Sequence, residues 1–87
     1  MKGVAIIDSS GELLASADSV EGALRGVIGR NMLAARRAAK LSQAQLARRV
    51  GRSQTFVGRV ERGVIACGEA YVLAVLQACG LPADWRP

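Results

Sequence analysis

The chain has 87 residues, enough for one small domain, and a hydrophobic content of 51% excludes a disordered segment. With aromatics at 3% and much of the apolar content Ala and Val, the composition fits closely packed helices. The net charge of +5 is uneven: residues 1–24 set Lys2 against four acids, a net −3, while residues 25–87 set ten arginines and Lys40 against Glu61, Glu69 and Asp84, a net +8.

An arginine-rich block of that kind suits a polyanion, nucleic acid first and an anionic membrane surface second. A merely solubilising surface more often mixes Lys with Glu. No apolar run approaches the ~18–20 residues of a membrane span, and the start lacks the long apolar region of a signal peptide. Cys67 and Cys79 have no second pair and no His, which argues against zinc and for half-buried or buried free thiols in a reducing cytoplasm.

In chain order, GVAIID (3–8) is short and β-branched, DSSG (8–11) is turn chemistry with Gly11 open to positive φ, and ELLASA (12–17) follows. Together they predict a β-hairpin extension over residues 1–18. Its faces show little polar alternation, so it needs cover from the helices, from a second chain, or from both. DSVE (18–21) matches a capping box, with Asp18 as N-cap and Glu21 three residues on. Val20, Ala23/Leu24, Val27/Ile28, Met32, Ala35 and Ala39 then keep helical spacing, and the helix should end by Lys40. Gly22, Gly26 and Gly29 each cost ~1 kcal/mol against Ala, so this helix is expected to bend there or to start only near Leu24.

Ser42 caps a second helix with a narrow stripe of Leu46, Ala47 and Val50, closed by Gly51. It is too short to be stable alone. Ser53 caps a third, which runs to Arg62 and stops at Gly63. The loop VIAC leads to a fourth helix over Glu69–Cys79; Gly80 ends it and Pro82 opens a last turn, PADW.

The third segment, RSQTFVGRVERG (52–63), is divided by function. At about 100° per residue, Gln54, Gly58, Arg62, Thr55 and Arg59 fall within roughly 140° of arc. Val57 and Val60 lie opposite, with Glu61 and Phe56 at the stripe's edges. One face can dock on a core; the other carries amide, hydroxyl and guanidinium groups suited to reading something. Two short helices joined by VGRS have helix-turn-helix spacing, in which the second helix enters the major groove.

The stretch LSQAQLARRVGRSQTFVGRVERG (41–63) resembles the lambda-repressor-like (Xre-type) helix-turn-helix family. The matching residues are Leu41-Ser42-Gln43, Leu46-Ala47, Gly51, Ser53-Gln54 and Glu61-Arg62-Gly63. Upstream, IGRNMLAARRAAK matches the family's first helix, including Arg36, and the likeness spans residues 27–85. It implies a mostly α fold: a compact four- to five-helix lambda-repressor-like domain over residues 19–87, here with an N-terminal β-hairpin. Two positions depart from the pattern. Lys40 stands where Gly commonly ends the first helix, and Gly58 stands where a small polar residue is usual.

The resemblance and the chemistry assign roles. Gln54 and Thr55 are expected at base edges, Gln on adenine and Thr through its hydroxyl or its methyl. Arg59 takes guanine N7 and O6 or else grips a phosphate. Phe56 either edges the core or touches a thymine methyl, and Gly58 bares backbone that either admits close approach of a base or merely loosens the helix. Gln43 resembles the family residue that holds a phosphate, helped by the helix N-terminus. Arg52, Ser53 and Arg62 are further phosphate contacts, while Arg48 and Arg49 point away from Leu46 toward solvent. The family also implies a buried ion pair between Arg36 and Glu61, which makes Glu61 structural.

Without His or a spaced carboxylate pair there is no catalytic set, and no cofactor or metal is expected. The expected activity is that of a sequence-specific DNA-binding regulator, a repressor acting as a homodimer on an inverted repeat, cytoplasmic and of bacterial or phage origin. Its partners are double-stranded DNA through the major groove and a second copy of itself, with no membrane. The dimer surface is sought in the last helix, apolar nearly all round through Tyr71, Val72, Leu73, Val75 and Leu76, with Trp85 and the hairpin as further candidates. No chain remains for a ligand-sensing domain. The rival reading is an antitoxin-type interaction module whose hairpin or tail binds a protein; non-specific nucleoid coating is a weaker one.

Overall fold

Each helix is stopped by its own sequence, and the stops place the elements. The computed structural model describes residues 4–7, 13–17 and 20–87, with side chains from residue 22 onward. Helix α1 spans Val20–Ala38, α2 Gln43–Val50, α3 Gln54–Glu61 and α4 Glu69–Ala78. Gly51, Gly63 and Gly80 take left-handed φ values of 69°, 73° and 71°. After each, the next N–H turns back into the helix: Arg52 to the Ala47 carbonyl, Val64 to Arg59, Leu81 to Leu76.

Helix α1 closes in the same way without a glycine. Lys40 holds φ at 59°, its N–H donates to the Arg37 carbonyl at 3.0 Å, and the Leu41 N–H donates to Arg36 at 3.1 Å. A side chain in that region crowds the following carbonyl. Lys40→Gly is therefore expected to raise unfolding free energy by roughly 0.5–1 kcal/mol, the relieved strain exceeding the added freedom of the unfolded chain. The measurement is the urea midpoint at unchanged slope. A lowered midpoint would mean that the Lys40 side chain contributes more than its backbone strain costs.

Helix α1 runs unbroken from Val20, earlier than the expected start near Leu24. Its glycines are contact points. A Cβ on Gly29 would collide with the Val60 carbonyl oxygen and stand 2.9 Å from that of Glu61. A Cβ on Gly63 would stand 3.0 Å from the Gly26 Cα. The C-terminal end of α3 thus lies directly on the backbone of α1, and that packing outweighs the propensity lost in the helix.

The core joins all four helices through Met32 and Ala35, Leu46 and Ala47, Val57 and Val60, and Tyr71, Val75 and Leu76. Leu46, Val57 and Val75 are fully enclosed, each contributing about 1.5–3 kcal/mol. Leu24 faces out at 52% exposure. In α4, three of the five residues expected at a dimer surface belong to the chain's own core; Leu73 is exposed and Val72 half-buried. Trp85 packs at the core edge, and its N–H closes the last turn on the Pro82 carbonyl. Cys67 and Cys79 are free and half-buried, and burial pushes both thiols above their ordinary range.

Strand β1 (Val4–Ile7) pairs antiparallel with β2 (Leu13–Ala17). Val4 stands opposite Ala17 and Ile6 opposite Ala15, with a register shift before Ile7 meets Leu13. The expected turn at residues 8–11 and Asp18, the N-cap of the expected capping box, lie outside the described residues, as does the side chain of Glu21. Among the described residues, no helix is long and apolar enough to cross a membrane, and no His, Cys, Asp and Glu cluster could hold a metal.

Candidate nucleic-acid interface

Two serines start the two short helices. The Ser42 Oγ accepts the Gln45 N–H at 3.0 Å, while the Gln45 Oε1 accepts the Ser42 N–H at 2.8 Å. This capping box satisfies two donors reciprocally. Gln45 escaped the sequence reading, although its place three residues after Ser42 was the signal. Ser53 Oγ accepts the Phe56 N–H at 3.1 Å and opens α3 at Gln54.

Behind α3 one guanidinium ties three elements together. Arg36 Nε donates to Glu61 Oε2 at 2.7 Å and Nη2 to Oε1 at 2.9 Å, a bidentate pair. Its Nη1 donates to the Leu41 carbonyl at 2.8 Å, in the turn just before the α2 cap. The Glu61 side chain is 4% exposed and that of Arg36 12%. The hydrogen bond to Glu61 holds the Arg36 pKa above its ordinary value against the opposing effect of burial. Arg36 thereby sets α3 relative to α1 and α2.

Gln43 joins this cluster: its Nε2 donates to Glu61 Oε1 at 3.1 Å. The amide assigned to a phosphate is therefore anchored from behind. Gln43, Gln54, Thr55, Gly58 and Arg62 line an open, polar notch of about 240 Å³. Gln54, Thr55, Arg59 and Arg62 are exposed on α3 and its C-cap.

Of the five residues expected at base edges, Phe56 is half-buried and Gly58 buried. The Phe56 ring meets Tyr71 edge-on at 5.1 Å and lies under the Arg52 guanidinium at 4.9 Å, packed at the margin of the core. Burial pushes the Tyr71 phenol up to about 12, with the Glu61 charge adding to the effect, so the phenol beside Phe56 stays neutral. Gly58 is buried and lines the notch. Both arginines read as solvated, Arg48 and Arg49, are exposed; Arg49 Nη1 in addition donates to the Ala78 carbonyl at 3.0 Å and so ties α2 to the C-terminus of α4.

Comparison with known proteins agrees with this geometry. A helix-turn-helix domain family model matches residues 28–87. Among solved structures, the restriction-modification controller protein C.AhdI from Aeromonas hydrophila superposes with a TM-score of 0.69 at 28% identity, over 75% of this chain and 94% of that one. The hypothetical transcription factor NHTF from Neisseria gives a TM-score of 0.64 at 32% identity, over 75% of each chain. The clp gene regulator ClgR from C. glutamicum shares the fold, with a TM-score of 0.65 at 22% identity over 69% of this chain and 78% of that one. No curated protein sequence matches the chain. On the family model, the four-helix core and the braced pair α2–α3, this chain belongs to the helix-turn-helix domain family, in its lambda-repressor-like (Xre-type) class of DNA-binding regulators.

Proposed function

We propose that the chain is a sequence-specific transcriptional repressor that binds an inverted-repeat operator as a homodimer in the cytoplasm. The observation that carries this reading is the exposed polar face at the start of α3, held rigidly by the Arg36–Glu61 pair. Gln54, Thr55 and Arg59 read base edges; Gln43, Arg52 and Ser53 hold the phosphate backbone that fixes the register. Phe56 is left out of the reading set because its ring is engaged by Tyr71 and Arg52. So small a face contacts few base pairs, and two copies on half-sites about one helical turn apart supply the missing affinity. Resemblance to a controller protein and to a transcription factor supports the regulatory role.

Selection of bound duplexes from a random pool tests the whole reading at once. The expected result is two related half-sites in inverted order, spaced by about one turn. Recovery of no common sequence overturns it. On the selected site, Gln54→Ala should relax preference at one base pair and cost about 1–3 kcal/mol. An equal loss on every sequence would remove Gln54 from the base-reading set.

A further inference from the structure

The sequence places Arg62 among the phosphate contacts, as befits a residue at the end of the reading helix. In the structure its side chain runs back along the helix. Residues 54, 58 and 62 are four apart and share a face, and helical side chains lean toward the N-terminus. Arg62 therefore folds back over Gly58. A Cβ built on Gly58 would stand 3.3 Å from Arg62 Nη1 and 3.5 Å from both amide atoms of Gln43. The guanidinium thus lies one turn up the helix, in the notch it shares with Gln54 and Thr55.

Among the described residues nothing holds it there. The carboxylate next to it in sequence, Glu61, is occupied by Arg36 and Gln43. Among the described residues the Arg62 side chain makes no hydrogen bond or ion pair. An unpaired planar fork of donors, in a notch shared with an amide and a hydroxyl, matches the O6 and N7 acceptors of guanine.

We propose that Arg62 is a specificity-determining residue that reads a guanine in the major groove, and that Gly58 makes this possible by leaving room for the guanidinium. The proposal rests on the regulator reading above. The family departure at Gly58 then has a purpose: a larger side chain there would displace the arginine, and its absence leaves the arginine room.

The test uses the full chain and its selected duplex, with each position changed in turn to the other three base pairs. Arg62→Ala should abolish a guanine preference of about 5- to 150-fold at one position and leave the preferences at other positions in place. Gly58→Ala should weaken the same preference, because its Cβ, 3.3 Å from Arg62 Nη1, makes the guanidinium give way by a few tenths of an ångström. In the Arg62→Ala background it should change nothing further. Alanine favours the helix over glycine, so Gly58→Ala retains the fold, which circular dichroism checks. If Arg62→Ala weakens all duplexes alike, Arg62 grips a phosphate and the proposal fails. If Gly58→Ala alters a different position, the pairing of the two residues fails. Absence of any selected sequence for the unaltered chain would end the regulator reading itself, before any variant is compared.

Discussion

Glu61→Ala is expected to destabilise the protein by about 3–5 kcal/mol, the largest effect of any single substitution at the interface. The loss comes less from the attraction removed than from what remains. Arg36 keeps its charge and is 12% exposed at the side chain. Without Glu61 it loses two of its three hydrogen-bonded partner contacts, and Gln43 loses the acceptor for its Nε2. Small domains have total stabilities of about 5–15 kcal/mol, so the variant would lose a large share of its stability. Urea unfolding followed by circular dichroism measures it. Replacing both members by apolar residues of similar volume, as in R36M with E61L, should recover most of the loss, because no charge is then stranded. A loss below about 1 kcal/mol for Glu61→Ala would show that water reaches Arg36 freely and that the pair does not brace α3.

Gly29→Ala should cost about 3 kcal/mol even though it improves helix propensity by ~1 kcal/mol. The added Cβ meets the backbone carbonyls of Val60 and Glu61, which cannot rotate aside as a flexible side chain can. To relieve the clash, α3 must move off α1 and disturb the ion pair at the same point. Gly26→Ala, three residues earlier on the same helix, supplies the contrast. Among the described residues its Cβ would meet only the Arg30 Nη1, at an ordinary 3.8 Å. That substitution should stabilise by up to ~1 kcal/mol. Opposite signs for the two variants establish the close approach of α3 to α1; equal, mild stabilisation by both would exclude it.

These glycines also show where reading from sequence stops. By propensity alone, Gly22, Gly26 and Gly29 predict a first helix that bends or starts only near Leu24; α1 starts at Val20. Propensity is a local quantity, whereas the contact of Gly29 with Val60 joins residues far apart in the chain. The same division runs through the candidate interface. The polar face of α3 follows from a period of 3.6, so Gln54, Thr55, Gly58, Arg59 and Arg62 were legible together. The direction of each side chain was not. Phe56 sits at the edge of that periodicity, and only Tyr71, from α4, draws its ring to the core.

Local chemistry by itself determined the ends of the short helices, because a cap is made within a few residues: Ser42 and Ser53 at the starts, Gly51, Gly63 and Gly80 at the stops. It also determined the apolar stripes of α2 and α3, the concentration of positive charge after residue 24, and the family. Only the tertiary structure decided how Gln43 is anchored on Glu61, how Arg49 ties α2 to α4, and how Arg62 lies across Gly58. Polar side chains such as these can point to solvent, phosphate or protein at similar local energy. Which of these prevails is set by the partner that another helix brings within hydrogen-bonding distance, or by the room a missing side chain leaves.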